Sequence, residues 1–449
     1  MARSHGKRFL GIPDEFWVGF VIMVGFFLKL VYVIEIGYGA GTPAAGVWED
    51  LSGGHFAGGR IEVIHYLFAF HHFPDFSPAG LAGYADPPLF YIICSLVLEV
   101  IHRLMGWTIG VCMYVLLLMN VVFVMIGECC AIGILQKFGV RGRKLVVAIL
   151  FLIFFPTFYH LAGALDGSAL GFMLSMLALN SALSWFGSRR KKTLIRTAVQ
   201  LGLGFMTSYT TFAVVPAILV LLHFAVSDGR RNETPLRIQY RQFAIIACIL
   251  GLIWPVYLTV RFHLPLFYIE PAGVRTAGSA LSRLLPPGKA ALSHLHTVGA
   301  APLESNIWAQ TFKTAVFDLK AVSLTQRGTR FIAVFLLWLT IALCLTAHVM
   351  LMYTIFAAGR IDRVFRRLLS RGYLAALAGY VIMCLAVPYT EVMNFRYVAV
   401  LLIFPLTGMS VCGSGDLSDN LFEKVTTGFV NAIILVLAFI TAFLFGFYA

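Results

Sequence analysis

Residues Glu15–Tyr38 read EFWVGFVIMVGFFLKLVYVIEIGY. A run of that length and character can carry a helix across the roughly 30 Å hydrocarbon core of a bilayer. It is longer than the apolar core of a removable leader and lacks the small-residue cleavage site that ends one. It therefore reads as a retained first span. Runs of the same kind recur along the chain, at about 109–136, 145–163, 168–186, 194–208, 210–226, 242–262, 331–357, 372–389, 397–412 and 425–447. Together they predict an all-α polytopic membrane protein of about 11 transmembrane helices, with residues 1–449 forming a single transmembrane domain.

Composition agrees. Hydrophobic residues make up 59% of the 449 and charged residues 12%, about half the charged share of an average soluble domain. Mean hydropathy is +0.86. The eight cysteines include Cys94, Cys112, Cys248, Cys344 and Cys384 inside apolar runs, where cysteine acts as a small hydrophobe. Cys129 and Cys130 are adjacent, and no paired-cysteine or Cys/His zinc spacing is present.

The net charge of +13 points to topology rather than nucleic acid, because the basic residues sit in short loops between apolar runs. They cluster at Arg3/Lys7/Arg8, Lys137/Arg141/Arg143/Lys144, Arg189 to Lys192, Arg230/Arg231/Arg237/Arg241, and Arg360/Arg363/Arg366/Arg367/Arg371. With the N-terminus cytoplasmic, all five clusters fall on the cytoplasmic side, as the positive-inside rule requires. That count leaves 87–105 as an amphipathic helix on the outer surface. Segment 61–73 reads the same way, with Ile61, Ile64, Leu67 and Phe68 on one helical face. Two large external loops result, 38–108 with its interfacial helices and 263–330. The sequon Asn232-Glu233-Thr234 falls on the cytoplasmic side of this topology and carries no compartment information.

Three external carboxylates are candidates for chemistry. Asp50, in Trp48-Glu49-Asp50, reads either as a solvated loop acid or as a general base. Asp86 precedes Pro87-Pro88-Leu89, the ordinary start of a helix, so spacing favours an N-cap over catalysis. Asp166 also stands where a span begins, and a cap there would still point a carboxylate into any cavity at the helix end. Arg396 is a lone cation at a span's outer end, placed either to snorkel or to grip a phosphate. His55, His65, His71 and His72 lack the spacing of ligands on successive helical turns, and no metal site is assigned. Lys29, Glu128 and Asp166 read as lying towards span ends, which leaves span interiors nearly free of charge. That argues against a transport pathway.

The order of these residues resembles a known family, the GT-C glycosyltransferases, specifically the family 39-like branch that includes protein O-mannosyltransferases and bacterial relatives. Trp48-Glu49-Asp50, Gly59-Arg60, Val63-Ile64, Phe73-Pro74-Asp75-Phe76 and Asp86-Pro87-Pro88-Leu89 are similar to that family's Gln-His-Asp, Gly-His, Tyr-Ile, Leu-Pro-Asp-Phe and His-Pro-Pro-Leu series. Ala164-Leu165-Asp166 corresponds to an Asn-Asn-Asp pattern, and Asn394-Phe395-Arg396-Tyr397 to Asp-Phe-Arg-Tyr. Asn306-Ile307-Trp308 and Lys313-Thr314-Ala315-Val316-Phe317 also fit. Departures fall at Trp48-Glu49 and Asp86, and at Ser208, where a lysine is common.

The resemblance implies a GT-C-type bundle and a polyprenyl- or dolichyl-phosphate sugar donor, most simply a hexose such as mannose. Its tail would lie between spans, with a lipid, glycan or protein acceptor on the non-cytoplasmic face. Asp50 would be the general base of an inverting displacement. Asp166 and Asp86 would orient the substrates, and Arg396 would bind the donor phosphate. Glu49, Arg60 and His55 would contact donor or acceptor. No cofactor is implied, although a divalent cation is compatible with the chemistry, and no nucleic acid is expected. A bacterial plasma membrane and an endoplasmic reticulum membrane both suit this layout. Two other readings stand beside it, a non-catalytic subunit of this fold and a lipid or solute transporter.

Overall fold

The computed structural model describes residues 8–9, 12–37, 60–78, 83–227, 233–268, 279–288, 306–317, 327–356, 363–387, 390–412 and 421–447. Glu49, Asp50 and His55 lie outside them. A two-residue strand pair, Arg8–Phe9 with Ile12–Pro13, precedes α1 (Asp14–Ile36). Then come α2 (Arg60–Phe70), α3 (Leu89–Met105), α4 (Ile109–Lys137), α5 (Arg143–Ile153), α6 (Thr157–Gly163), α7 (Ser168–Ser188) and α8 (Lys191–Phe205). A 3-10 turn at Tyr209–Val214 leads into α9 (Val215–Ser227), followed by α10 (Glu233–Phe262), α11 (Ala280–Leu284) and α12 (Ile307–Val316). The chain ends with α13 (Arg327–Phe356), α14 (Arg363–Ala386), three 3-10 turns between Thr390 and Leu402, α15 (Ile403–Cys412) and α16 (Leu421–Phe447).

Every expected span falls on helix, and the protein is an all-α, multi-pass integral membrane protein. Seven of the described helices are long and apolar enough to cross a membrane alone. The other four expected spans are built differently. Residues 145–163 are two helices, α5 and α6, meeting at 51°, because Pro156 has no N–H to continue the ladder. Helix α8 is only about 22 Å long at 1.5 Å per residue. The run at 210–226 begins as a 3-10 turn, and 397–412 is largely a short helix after 3-10 turns.

Burial separates centre from periphery. Helix α7 is 72% buried over its apolar window, whereas α10 is 22% and α1 28% buried. Ala169, Ser175, Ala178 and Ala182 on α7 let α4 and α8 approach closely, as small residues do between membrane helices. Cys94, Cys112, Cys344 and Cys384 are buried, while Cys248 is exposed on peripheral α10.

Lys29 and Glu128, expected towards span ends, are buried against one another. Both have zero exposure, and Lys29 Nζ stands 2.9 Å from Glu128 Oε1 and 3.2 Å from Oε2. The ammonium also donates to the Ile153 carbonyl at 3.1 Å, at the C-terminal end of α5 where the α5–α6 break interrupts the helical ladder, and lies 5.1 Å from the Tyr159 ring. A charge in the bilayer interior needs a partner. Here each ion has one, in a sealed contact rather than along an aqueous path.

Part of the loop expected to be external is built into the bundle. Asn306 caps α12 by accepting from Ala309 N–H at 3.0 Å. Thr157 Oγ1 donates to the Ala315 carbonyl at 3.0 Å, and the His160 ring bonds the Val316 carbonyl at 2.8 Å. The α5–α6 bend therefore delivers Thr157 and His160 to α12.

Candidate functional site

Four charged side chains from four separate stretches meet at one place. Arg60, the first residue of α2, donates from Nε to Asp86 Oδ2 at 2.9 Å, and its Nη1 lies 3.8 Å from Asp166 Oδ2. Arg396 Nη1 pairs with that same Asp166 oxygen. Two cations thus face two carboxylates, all between 5% and 20% exposed.

Backbone geometry forces the convergence. Gly83 has φ +88°, and a Cβ there would stand 2.9 Å from Arg60 Cα, so the chain before Asp86 can touch the start of α2 only at a glycine. Gly167 has φ +78°, and its Cβ would meet the Thr207 carbonyl at 2.7 Å and Phe90 Cβ at 3.2 Å. That position brings the starts of α7 and α3 onto the turn after α8. Leu89 N–H donates to the Met206 carbonyl at 2.8 Å, and Trp254 Nε1 donates to the Ala85 carbonyl at 3.0 Å.

Asp86 is not the N-cap that its spacing favours. The cap position of α3 is Pro88, with no side-chain cap bond. Asp86 Oδ2 instead accepts from Arg60 and from the Tyr91 hydroxyl at 2.9 Å. The Pro-Pro step supplies a helix start that needs no side-chain cap, which releases the carboxylate. Asp166 does both jobs. Its Oδ1 accepts from Ser168 N–H at 3.0 Å at the start of α7, and its Oδ2 faces the two guanidiniums.

Arg396 does not snorkel, being 9% exposed. Asn394 Oδ1 accepts from Arg396 N–H at 3.0 Å, and Thr314 Oγ1 accepts from Phe395 N–H at 2.8 Å. Thr311 Oγ1 also donates to the Met393 carbonyl at 3.1 Å, so α12 braces the turn that aims the guanidinium. Burial, then the nearby Arg60 charge, lowers the Arg396 pKa to about 10, still cationic at neutral pH. Burial, then the Asp86 charge, raises the Tyr91 phenol well above its usual range.

The cluster is recessed. Asn120 donates to the Ala164 carbonyl at 2.6 Å, and Asn120 stands about 16 Å along α4 from Ile109. A small apolar cleft of about 20 Å³, lined by residues such as Ile134, Phe138, Leu183 and Phe404, lies about 20 Å further along α4.

Each carboxylate is thus engaged, Asp86 by a guanidinium and the Tyr91 hydroxyl and Asp166 by a guanidinium and the Ser168 N–H. Two guanidiniums with fork-shaped donor sets suit a phosphate or carboxylate. Among the described residues, the other candidate histidines do not assemble. His65 is buried on α2, His71 lies 3.6 Å from Glu99, and His72 bonds the Phe73 carbonyl at 2.8 Å. Among the described residues, no group of three or more His, Cys, Asp or Glu could hold a metal ion. The sequence pointed to Arg60, Asp86, Asp166 and Arg396 but not to Tyr91. Tyr91 was legible in principle, since five residues past Asp86 it returns over the start of α3.

No family model matches the chain, and no curated protein does. Among solved structures, the chain is similar to ArnT from Cupriavidus metallidurans in the apo state, at 15% identity over 88% of this chain and 78% of that one, with a TM-score of 0.40.

Proposed function

We propose that this protein is a GT-C-type membrane glycosyltransferase of the family 39-like kind. It takes a sugar, most simply a hexose such as mannose, from a polyprenyl- or dolichyl-phosphate donor. The observation that carries the reading is the meeting of Arg60, Asp86, Asp166 and Arg396, which belong to separate motifs of that family's pattern, in one recessed cluster. The five basic loop clusters support a non-cytoplasmic position for this face.

The reaction is an inverting displacement. An acceptor hydroxyl oxygen bonds to the anomeric carbon as the bond from that carbon to the phosphate oxygen breaks. The bonding pair leaves with the lipid phosphate, and the acceptor's proton passes to the Asp50 carboxylate. Arg396, with Arg60 beside it, offsets the charge gathering on the phosphate. Asp166 and Asp86 hold those guanidiniums in place. Binding energy spent on the phosphate lowers the barrier because the added charge develops only as the bond breaks.

The test uses the full chain in nanodiscs with a panel of polyprenyl-phosphate sugars and acceptors from a cell extract. Wild type is expected to release lipid phosphate, and Asp50→Asn is expected to lose that turnover. Equal turnover by both removes Asp50 as the base. No turnover with any donor overturns the transferase reading.

A further inference from the structure

Trp254 belongs to none of the stretches that meet in the charged cluster, yet it holds the chain one residue before Asp86. It sits on α10 and is 6% exposed. Its indole Nε1 donates to the Ala85 carbonyl at 3.0 Å, across 169 residues of sequence. On the other side of the same planar peptide unit, Asp86 N–H donates to the Gly83 carbonyl at 3.2 Å. The Ala85–Asp86 peptide is therefore bonded at both its oxygen and its nitrogen, which fixes the direction in which the Asp86 side chain departs. The carboxylate it delivers meets Arg60 Nε and the Tyr91 hydroxyl, each 2.9 Å from Oδ2.

The indole is itself held. Tyr257 stacks on it at 5.1 Å and 22°, and Phe73, which opens Phe73-Pro74-Asp75-Phe76, packs at 5.5 Å and 45°. Trp254, Ala85 and Leu258 form a small buried group apart from the main core, on a helix only 22% buried over its apolar window. The indole thus ties a peripheral helix to the turn before Asp86 rather than to the centre of the bundle. A buried carbonyl deprived of this donor would turn toward another, carrying Asp86 with it.

We propose that Trp254 is a positioning residue of the charged cluster: its indole N–H fixes the Ala85–Asp86 peptide, and through it the carboxylate that aims Arg60 at the donor phosphate. The inference rests on reading the cluster as the donor-phosphate site and adds a residue that acts through Asp86.

Trp254→Phe removes the N–H and keeps an aromatic ring. Trp185→Phe is its matched control, because the Trp185 indole is also buried and donates to Gln239 Oε1 at 3.1 Å, near the end of α7 opposite Asp166. Binding of polyprenyl phosphate to the full chain in nanodiscs is measured beside Tm. Trp254→Phe is expected to bind about tenfold more weakly, the weight of one hydrogen bond. Trp185→Phe is expected to lower Tm but keep the wild-type affinity. In an Asp86→Ala background, Trp254→Phe is expected to have no further effect on affinity, because no carboxylate is left to aim. Unchanged affinity in Trp254→Phe overturns the proposal, as does an equal loss in Trp185→Phe, which would mark general loosening. A tenfold loss that persists in Asp86→Ala overturns the route through Asp86. Wild type that binds polyprenyl phosphate but transfers no sugar from its mannose, glucose or galactose derivatives removes the transferase reading, and the binding cycle still decides the role of Trp254. Wild type with no affinity for polyprenyl phosphate overturns the phosphate site and this inference together.

Discussion

Replacing Lys29 with Met, alone and together with Glu128→Leu, tests how the interior of the bundle tolerates charge. The two ions sit about 3 Å apart with zero exposure. At an effective dielectric constant of 20 their attraction is about 5 kcal/mol. Taking each ion out of water costs several kcal/mol, so the intact pair contributes little net stability. Removing one partner is different, because the survivor keeps its desolvation penalty and loses its compensation. Each single variant is therefore expected to lose about 3–5 kcal/mol. Lys29→Met adds roughly 1 kcal/mol by leaving the Ile153 carbonyl without its donor. The double variant replaces the pair with apolar groups of similar length and is expected to fall within about 1–2 kcal/mol of wild type. Reversible unfolding in SDS-titrated mixed micelles measures all four corners of the cycle, and the coupling energy should exceed about 3 kcal/mol. Additive losses in the double variant, or single losses below about 1 kcal/mol, would refute the reasoning.

Acid should weaken the fold through His65. Burial lowers its pKa to about 4 from 6.5, so between those values the unfolded chain binds more protons, and up to about 3 kcal/mol is lost as pH falls through that window. Stability measured from pH 7 to 4 should drop in wild type and flatten in His65→Leu. Gly83→Ala forces a Cβ to 2.9 Å from Arg60 Cα at φ +88° and should cost about 1–3 kcal/mol. It should also cut turnover by shifting Arg60, and wild-type activity in that variant would show that the close approach does not matter. Arg396→Lys keeps the charge but loses the planar fork, so turnover should fall at least tenfold with fold intact, as judged by gel filtration. Asp166→Asn leaves two buried guanidiniums facing one carboxylate and should destabilise by about 3 kcal/mol, read in the same micelle titration.

The span pattern was legible because hydropathy is written locally. Residues 109–136, for example, needed only their own composition to become α4. What was not legible depended on distant partners. Lys29 and Glu128 look like separate charges until the two residues, 99 apart in the chain, are laid side by side. Asp86 looks like a cap because Asp-Pro-Pro is a local signal, and nothing local reveals that Arg60 takes the carboxylate instead. The bend at Pro156 is foreshadowed by the proline, but its result, contact with α12, is not. Arg60 and Asp86, 26 residues apart, are bonded to one another at 2.9 Å, and neither residue's own neighbours announce the pair.

The pairing of Asp166 with Arg396 also has a history in time. The two are 230 residues apart, and at 5–20 residues per second a ribosome needs roughly ten to fifty seconds to travel between them. Throughout that interval, of the two cations that face Asp166 only Arg60 has been synthesised. The carboxylate and Arg60 are thus made together, and the second guanidinium follows 230 residues later. A nascent chain stalled before residue 396 would hold nine of the eleven expected spans and Arg60, Asp86 and Asp166, but not the guanidinium that completes the cluster.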